Sequence, residues 1–199
     1  MKLLFIGDVH GQVNQYWKLL QTHKPDRSIQ VGDFGFTKHH TWHSNYLNPD
    51  QHKVLFGNHD DTAYLAAAHS LGDWGFDIQE DQCLFWVRGA ESIDRSVRVE
   101  DRDWWRDEEL TIPQFYQAMN DYERVRPQIM VSHDCPLSVY RDALDIQGKS
   151  RTSQGLQAML EQHQPQLWIF GHHHRRIDMT IGATRFVCLE ELGTLQLTL

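Results

Sequence analysis

Several features that define whole classes of protein are scarce in this sequence. Cysteine occurs only three times in 199 residues, at Cys83, Cys135 and Cys188, and no two of these positions are close together. An odd and widely spaced set does not form a disulfide framework or a cysteine-type zinc site. We therefore expect free, buried thiols in a reducing compartment.

Long apolar runs are also missing. No segment approaches the ~18 consecutive apolar residues of a membrane span. The first apolar run reaches Asp8 too early for a secretory signal peptide. No repeat and no Pro/Gly/Ser-rich linker divides the chain, so residues 1–199 are expected to form a single domain. We expect a soluble, cytoplasmic protein without a membrane partner, and the oligomeric state stays open.

Positive charge is in short supply. Lysine and arginine number 19 against 27 aspartates and glutamates, which gives a net charge of -8. This balance argues against a broadly basic surface, so no stable nucleic-acid partner is expected, although a nucleic acid held at one local site is not excluded. A composition of 40% hydrophobic and 23% charged residues is typical of a folded globular protein.

The sequence does contain a regular alternation of short apolar strands with helical segments. Apolar runs predict strands at 2–6, 28–32, 52–57, 83–90, 128–133 and 166–172. Helical spacing predicts helices at 12–23, 61–71, 113–125 and 154–163. The tail after residue 178 is expected to form short strands with turns near Gly182 and Gly193. This order predicts a layered α/β protein with more than one sheet.

Five of the predicted strands end in residue types that bind metals. These endings supply Asp8 and His10, Asp33, Asn58 with His59 and Asp60, His133, and His172 with His174. One Asp or Asn after a strand is an ordinary turn residue, but five such endings are hard to explain as turns. The carboxyl edge of an α/β sheet is where ligands bind. A glycine, which permits close backbone approach, precedes the ligand types at Gly7, Gly32, Gly57 and Gly171.

The motif order Asp-x-His, Gly-Asp, Gly-Asn-His-Asp, His, Gly-His-x-His, over residues 7–174, resembles the calcineurin-like metallophosphoesterase superfamily, in a small phage or bacterial form. The resemblance implies a four-layer αββα sandwich with two mixed β-sheets and a binuclear metal site at the C-terminal strand edge. It implies that Asp8, His10 and His174 hold one metal, that Asn58, His133 and His172 hold the other, and that Asp33 bridges both. His173 is expected to point away from the metals.

The implied cofactors are two divalent metal ions. The mixture of imidazole, carboxylate and amide ligands suits Mn, Fe, Zn or Ni, with Mn as the first choice and Mg as a further candidate. Two such ions about 3.5–4 Å apart lower the pKa of a bridging water and clamp phosphoryl oxygens. The resemblance thus implies hydrolysis of phosphomonoesters or phosphodiesters by metal-bound hydroxide, without a covalent enzyme intermediate.

Two residues beside the ligands are candidates for catalysis. His59 resembles the catalytic histidine of the family, which would donate a proton to the leaving oxygen or hold the phosphoryl group. Asp60 either orients His59 or caps a helix that begins near residue 61.

The segment 87–110 carries five arginines and two adjacent tryptophans, Trp104 and Trp105. Arg95 and Arg98 are candidate substrate-binding residues, because guanidinium groups bind phosphate, and the tryptophans could stack on a base. For most charges of the segment we favour pairing with the acids that alternate with them. The histidines of residues 39–43 are interpreted as part of a surface loop.

The implied substrate is a phosphorylated small molecule, a phosphoprotein or a nucleotide. The motif "GDFGF" lacks the arginine and the aspartate that phosphoprotein phosphatases of the superfamily carry there, which weakens membership of that branch. Two alternatives stay open: a nuclease or nucleic-acid-end phosphatase, and a non-catalytic scaffold on the same fold. The complete ligand set and His59 weigh against the scaffold.

Overall fold

The protein is described by a computed structural model that covers residues 1–35, 48–63 and 69–199. The histidine-rich stretch 39–43 lies outside the described residues, and so do positions 64–68 of the predicted helix 61–71. All structural statements below concern the described ranges.

The strands of the described ranges form two mixed sheets. The smaller sheet has the order β10-β1-β2-β3, in which β10 is antiparallel to β1 and the other pairs are parallel. Its strands are β1 (Lys2–Ile6), β2 (Arg27–Gln30), β3 (His52–Val54) and β10 (Thr194–Thr198). The larger sheet has the order β4-β5-β6-β7-β9-β8, with a parallel centre and an antiparallel strand at each edge. Its strands are β4 (Trp74–Gln79), β5 (Gln82–Val87), β6 (Ile129–Ser132), β7 (Leu167–Phe170), β8 (Ile177–Ile181) and β9 (Thr184–Cys188).

The helices cover the outer faces of both sheets. They are α1 (Val13–His23), α2 (Ile112–Val125), the short α3 (Leu137–Val139) and α4 (Arg151–Gln162). A π-helical turn, Tyr140–Leu144, continues α3, and a 3-10 turn covers Arg95–Val97. Both long helices of the larger sheet begin with a capping box, at Thr111 and at Ser150, which satisfies free N–H groups of the first turn.

Three apolar clusters separate four layers. One lies between the sheets and joins Phe5 of β1 and Leu55, directly after β3, to Val131 and Ile169 of the larger sheet. The second cluster packs α1 on the smaller sheet, and the third packs α2, α3 and α4 on the larger sheet around Trp168. The αββα sandwich with two mixed sheets is confirmed. No helix among the described residues is long and apolar enough to span a membrane.

Two strands differ from the sequence prediction. β4 was not predicted, although Trp74, Phe76 and Ile78 alternate as in a strand; its side chains are mostly half-buried or exposed, and it pairs with β5 in a hairpin. The predicted strand 52–57 ends early, at Val54. Residues 55–57 leave the ladder, although the N–H of Leu55 still donates to the carbonyl oxygen of Gln30, and the chain turns to deliver Asn58.

Candidate metal centre

The predicted ligands gather at one edge of the sandwich. Each follows the carboxyl end of a parallel strand: Asp8 after β1, Asp33 after β2, Asn58 after β3, His133 after β6 and His172 after β7. Because parallel strands end on the same side, the fold brings together residues that lie far apart in sequence.

The first ligand group consists of Asp8, His10, Asp33 and His174, whose donor atoms all lie within 4.8 Å of one another. His174 Nε2 is 3.1 Å from Asp8 Oδ2 and 2.9 Å from His10 Nε2. His10 Nε2 is 3.9 Å from an oxygen of Asp8 and 3.9 Å from Asp33 Oδ2. Two carboxylates and two imidazoles therefore surround one point.

The second ligand group consists of Asp33, His133 and His172, again within 4.8 Å. His133 Nε2 is 3.3 Å from Asp33 Oδ1 and 3.2 Å from Asn58 Oδ1, so the amide oxygen of Asn58 joins this group. The ring centroids of His133 and His172 are 5.1 Å apart. The family resemblance implies the same division of residues between two metals, and this assignment stays a prediction.

Asp33 belongs to both groups, and its two oxygens face different ways. Oδ1 faces His133 and accepts the backbone N–H of His59 at 2.8 Å, while Oδ2 faces His10 at 3.9 Å. The carboxylate is 1% exposed. A buried carboxylate with one oxygen on each group has the geometry of a ligand that bridges two cations.

The donor atoms of both groups fit metal ions better than they fit one another. His133 Nδ1 lies 3.0 Å from the carbonyl oxygen of Val31, which can only accept, so this nitrogen carries the hydrogen and Nε2 faces the oxygens of Asp33 and Asn58. His10 and His174 likewise point Nε2 at Nε2. Nitrogen and oxygen atoms that converge in this way can be shared by one cation.

His133 and Asp33 form a buried, electrostatically coupled pair. Burial by itself would lower the pKa of His133, but the charge and hydrogen bond of Asp33 raise it to about 10. Burial raises the pKa of Asp33 less than His133, His59 and His10 lower it, so the carboxyl group stays ionised. Burial lowers the pKa of His172 to about 4. The raised pKa of His133 means that its ring is protonated and donates to Asp33 as long as no metal is bound. Metal binding would release this proton, because a deprotonated carboxylate and a neutral imidazole are the forms that bind metals.

The backbone of the ligands is strained. His10, Asp33, His172 and His174 have φ angles of 46°, 57°, 65° and 50°. Non-glycine residues rarely adopt this left-handed region, and clusters of such residues are typical of functional sites. The strand-like alternation expected for residues 172–174 is wrong in this respect, because β7 ends at Phe170 and left-handed turns direct His172 and His174 to different groups.

Three of the glycines before the ligands are required by close contacts with ligand side chains, and a Cβ at the first of them, Gly32, would collide with His133 Nδ1. A Cβ at Gly57 would collide with Asp33 Oδ1 and with His133 Nε2, and a Cβ at Gly171 would collide with Asp8 Oδ1. The prediction that glycine permits close approach therefore has a specific cause: the ligand side chains pass directly over these backbones.

His173 lies away from both ligand groups, in a third cluster that the sequence analysis missed. Its Nε2 is 3.2 Å from Asp134 Oδ1 and 3.5 Å from Cys135 Sγ. Asp134 also accepts from the Tyr140 hydroxyl at 2.7 and 2.9 Å, from the N–H of Cys135 at 2.7 Å and from the Ser150 hydroxyl at 3.3 Å. We call these five residues the Asp134 network. The only sequence signal was a carboxylate directly after ligand His133.

Behind Asn58 lies a second chain of contacts that the sequence did not reveal. The side-chain amide of Asn58 donates to Ser92 Oγ at 3.0 Å, and the Ser92 hydroxyl donates to Glu108 Oε2 at 2.5 Å. Ser92 and Glu108 are both buried. Because the amide nitrogen is held by Ser92, the amide oxygen is directed at the second ligand group.

His59 borders the first ligand group. Its ring centroid is 5.0 Å from that of His10, and its Nε2 is 3.8 Å from Asp33 Oδ2. Burial lowers the pKa of His59, with Arg98, His10 and His133 acting in the same direction and Asp33 against it. The side chain is 31% exposed, so it remains accessible from solvent.

The two arginines that were predicted to bind substrate have different surroundings. Arg98 Nη1 and Nη2 lie 3.0 Å from Nδ1 and Nε2 of His59, and its Nε donates to Asp94 at 2.5 Å. Arg95 instead stacks on the Trp104 ring, with Cζ 4.1 Å from the ring centroid. Trp104 and Trp105 are each only 7% exposed, so the suggestion that they stack on a base is wrong.

Asp60 joins the loops that carry the ligands. Its carboxylate is 1% exposed and accepts the backbone N–H groups of Gly57 at 2.9 Å, Phe34 at 3.2 Å and Gly35 at 2.7 Å. These bonds tie the loop after β2 to the loop after β3, so Asp60 acts on the backbone on which both Asp33 and Asn58 stand.

A cleft of about 500 Å³ opens over the ligands, and we call it the metal-edge cleft. Asp33, Asn58, His59, Arg98 and all three consecutive histidines line it. Apolar residues, among them Ile93, Leu144 and Ile146, form much of the remaining wall. Arg95 is not one of the described residues that line the cleft.

Comparison with known proteins gives this arrangement a family. The family model for calcineurin-like phosphoesterase matches residues 1–176. A Staphylococcus aureus protein provisionally described as a 5′-nucleotidase is similar in structure, with a TM-score of 0.54, 15% identity, and coverage of 100% of this chain and 51% of that one. A hypothetical protein from Thermus thermophilus has a TM-score of 0.52 and 15% identity, over 97% of this chain and 76% of that one.

The E. coli phosphoesterase Yfce is aligned over 98% of this chain and 81% of its own, with a TM-score of 0.46 and 14% identity. No curated protein matches the chain significantly in sequence. The solved structures are too dissimilar in sequence to show more than the fold. The family match covers most of the chain, and the chain therefore belongs to the calcineurin-like phosphoesterases, metal-dependent hydrolases that act on phosphoester bonds.

Proposed function

We propose that the protein hydrolyses phosphomonoesters or phosphodiesters at the metal-edge cleft, with Asp8, His10, Asp33 and His174 binding one divalent metal ion, and Asp33, Asn58, His133 and His172 binding the other. The observation that carries this proposal is Asp33, which is buried and presents one oxygen to each ligand group. When bound, two such ions supply activation of water and stabilisation of the charge on the phosphoryl group.

Residues behind the metal ligands hold the ligand side chains in place. Val31 holds His133 by its Nδ1, Ser92 holds the amide of Asn58, and Asp60 joins the two loops that carry Asp33 and Asn58. These partners keep the donor atoms aimed at the same points, which is the role that residues behind metal ligands have in general.

His59 acts on the leaving group. It lies beside Asp33 but remains exposed to the cleft, so a phosphoester there can reach an imidazole N–H. Transfer of this proton to the leaving oxygen would raise the rate about 10²–10⁴-fold. Arg98, whose guanidinium lies 3.0 Å from the His59 ring, provides a permanent positive charge for the phosphoryl oxygens. Arg95 is not part of the proposal for binding, because its guanidinium covers Trp104.

The test is turnover of p-nitrophenyl phosphate and bis-p-nitrophenyl phosphate by protein that was stripped with a chelator and reloaded with one metal at a time. We expect activity only after reloading, with two ions per chain by elemental analysis and Mn as the first metal to try. One ion per chain, or the same turnover without metal, would overturn the two-metal proposal.

A matched pair of histidine variants tests His59. His59→Asn should keep both metal ions but lose about 10²–10⁴-fold in kcat, and activated nitrophenyl esters should suffer less than alkyl esters. His23→Asn, at the end of α1 and away from the cleft, is the control and should behave like the unmodified protein. Equal losses for both kinds of leaving group would assign His59 to substrate binding instead of proton transfer.

The substrate's identity, the single domain and the cytoplasmic location stay predictions. A phosphorylated small molecule, a phosphoprotein and a nucleotide all remain candidates for this site.

A further inference from the structure

The His59 ring has no acidic partner of its own. An imidazole that transfers a proton is, as a rule, oriented by a further group that contacts it. Among the described residues, the carboxylate oxygen nearest to the ring is Asp33 Oδ2, at 3.8 Å from Nε2, and this oxygen also faces His10 of the first ligand group. A different group therefore has to hold the ring.

Arg98 lies over the face of this ring. Its Nη1 is 3.0 Å from Nδ1 of His59, and its Nη2 is 3.0 Å from Nε2. In both groups a single carbon separates the two nitrogens, so the two spacings match. If the planar guanidinium lay in the plane of the ring, the C–H between the ring nitrogens would be forced between the two Nη atoms. The guanidinium therefore sits above the ring and leaves the in-plane side of each nitrogen open.

His10 supplies a second contact to the same ring. The two rings meet at 89°, with their centroids 5.0 Å apart. Because His10 belongs to the first ligand group, its ring and the guanidinium of Arg98 together fix the His59 ring relative to that group.

Arg98 is held in place by its own partners. Its Nε donates to Asp94 Oδ1 at 2.5 Å, and its Nη1 donates to the carbonyl oxygen of Asp103 at 2.9 Å. The carboxylate of Asp103 in turn accepts the N–H of Val99 at 2.6 Å, which closes the turn after Arg98. The side chain of Arg98 is only 13% exposed. The guanidinium thus has a defined position without a substrate, as a group that orients another side chain requires.

Asp94 favours this role over phosphate binding alone. Its carboxylate lines the metal-edge cleft together with Arg98 and offsets part of the guanidinium charge. For an arginine that only binds a phosphoryl group, such a neighbour is unfavourable, because a carboxylate repels an anionic phosphoester. For an arginine that orients His59, the same carboxylate is useful, because it fixes the guanidinium.

Resting on the proposed function, we propose that Arg98 is a positioning residue for His59: its guanidinium, held by Asp94 and by the backbone of Asp103, covers one face of the imidazole and keeps a ring N–H directed at the leaving oxygen. The leaving oxygen takes this proton as its bond to phosphorus breaks, and the ring takes a proton back from solvent. This role is additional to the charge that Arg98 offers to the phosphoryl oxygens, and it acts only through His59.

The experiment compares esters that differ in how much they need a proton on the leaving oxygen. Metal-loaded protein is given p-nitrophenyl phosphate or p-nitrobenzyl phosphate, and in a second pair bis-p-nitrophenyl or bis-p-nitrobenzyl phosphate. The nitrobenzyl alcohols are alkyl leaving groups on a similar ring, so they depend on proton transfer far more than nitrophenolate does.

Arg98→Lys keeps a positive charge but removes the flat guanidinium. We expect kcat for the nitrobenzyl esters to fall about tenfold or more, because a small misplacement of a catalytic group has an effect of this size. The nitrophenyl esters should lose much less, KM should change little, and both metal ions should stay bound. In a His59→Asn background Arg98→Lys should cause no further loss, because the two residues act as one unit.

Two further variants sharpen this result. Asp94→Ala removes the acceptor of Arg98 Nε and should also lower kcat for the nitrobenzyl esters; if Arg98 only bound phosphate, loss of the acid would lower KM and leave the difference between leaving groups unchanged. Arg106→Lys is the matched control, since Arg106 lies in the same segment, is 80% exposed and pairs with Glu100. It should behave like the unmodified protein.

The outcomes separate the two proposals. If all four esters are inert with every metal, the proposed function fails and the role of Arg98 fails with it. If the esters are hydrolysed but Arg98→Lys affects both kinds of leaving group equally, only the positioning role is overturned. A full Arg98→Lys loss in the His59→Asn background would overturn it as well, and would assign Arg98 to phosphate binding alone.

Discussion

Asp33 and Asp134 are both buried aspartates among histidines, yet their surroundings differ in kind. Asp134 receives hydrogen bonds from Tyr140, from the backbone of Cys135 and from Ser150, and it pairs with His173. Asp33 accepts one backbone N–H, and its remaining neighbours are imidazole nitrogens of residues that converge on shared points.

The difference separates a structural carboxylate from a ligand. In the Asp134 network the donors already satisfy the buried charge, so no further cation is needed. Around Asp33, three imidazoles and a second carboxylate converge on two shared points, an arrangement that suits bound cations. Both aspartates lie near histidines, so this proximity does not distinguish them. The number of N–H and O–H donors around each carboxylate does.

The largest expected effect comes from exchanging each carboxylate for its amide. Asp33→Asn should lower the metal content below two ions per chain and reduce turnover by at least about 10²-fold, because it removes the charge shared by both ligand groups. Asp134→Asn should keep both ions and lower only stability. Elemental analysis and thermal unfolding of the two variants measure this contrast, and loss of metal from Asp134→Asn would show that the network also belongs to the metal centre.

The three consecutive histidines allow the same comparison, between metal ligands and the Asp134 network, within one loop. His172→Ala and His174→Ala should each reduce bound metal. His173→Ala should keep the metal but lower the free energy of unfolding by about 1–3 kcal/mol, since Asp134 would lose a partner in a buried site. Metal content and unfolding are measured for all three; metal loss of equal size in His173→Ala would contradict the assigned roles.

The next largest effect is expected at low pH, where Asp134 becomes protonated. Burial would raise the pKa of Asp134, but the hydrogen bonds of His173 and Tyr140 and the charges of nearby histidines lower it to about 2. A lowered pKa stabilises the fold above the unfolded value near 3.8, and this contribution of about 2 kcal/mol is lost as the pH falls through about 2.

Acid unfolding of chelated protein and of chelated Asp134→Asn measures this contribution. The amide variant should lack it, so the difference in the free energy of unfolding between the two proteins should shrink between about pH 4 and pH 2. A difference that stays constant over this range would show that Asp134 has an ordinary pKa in the folded protein.

The smallest effect is expected from a single hydroxyl. Tyr140→Phe removes the donor that lies 2.7 and 2.9 Å from the Asp134 oxygens, and it should lower the free energy of unfolding by about 1–2 kcal/mol without changing metal content. Tyr116→Phe, on an exposed ring of α2, is the control and should have almost no effect. Denaturant unfolding measures the free energy of unfolding of both variants. If both lose the same amount, the hydrogen bond from Tyr140 to Asp134 does not stabilise the protein.

Much of the metal centre could be predicted because strand ends are local features. An apolar run followed by Gly-Asp or Gly-His predicts both a buried strand and the polar residue after it, and β1, β2 and β7 confirm this. The antiparallel edge strand β4 was missed: Trp74, Phe76 and Ile78 do alternate, but Gly75 and Asp77 interrupt the run, and the pairing with β5 that makes it a strand is a tertiary contact.

By itself, the sequence determined the types and the order of the ligands and a layered α/β fold with more than one sheet, because these depend on local patterns of apolar and polar residues. The αββα arrangement was implied by the family resemblance. Only the tertiary structure decided that His173 serves Asp134, that Arg98 faces His59 while Arg95 covers Trp104, and that Ile93 lines the cleft. Two of these roles depend on contacts between distant parts of the chain, because His173 and Asp134 are 39 positions apart, and so are Arg98 and His59. The direction of a side chain is fixed by its backbone angles and its packing, and residue identity alone specifies neither.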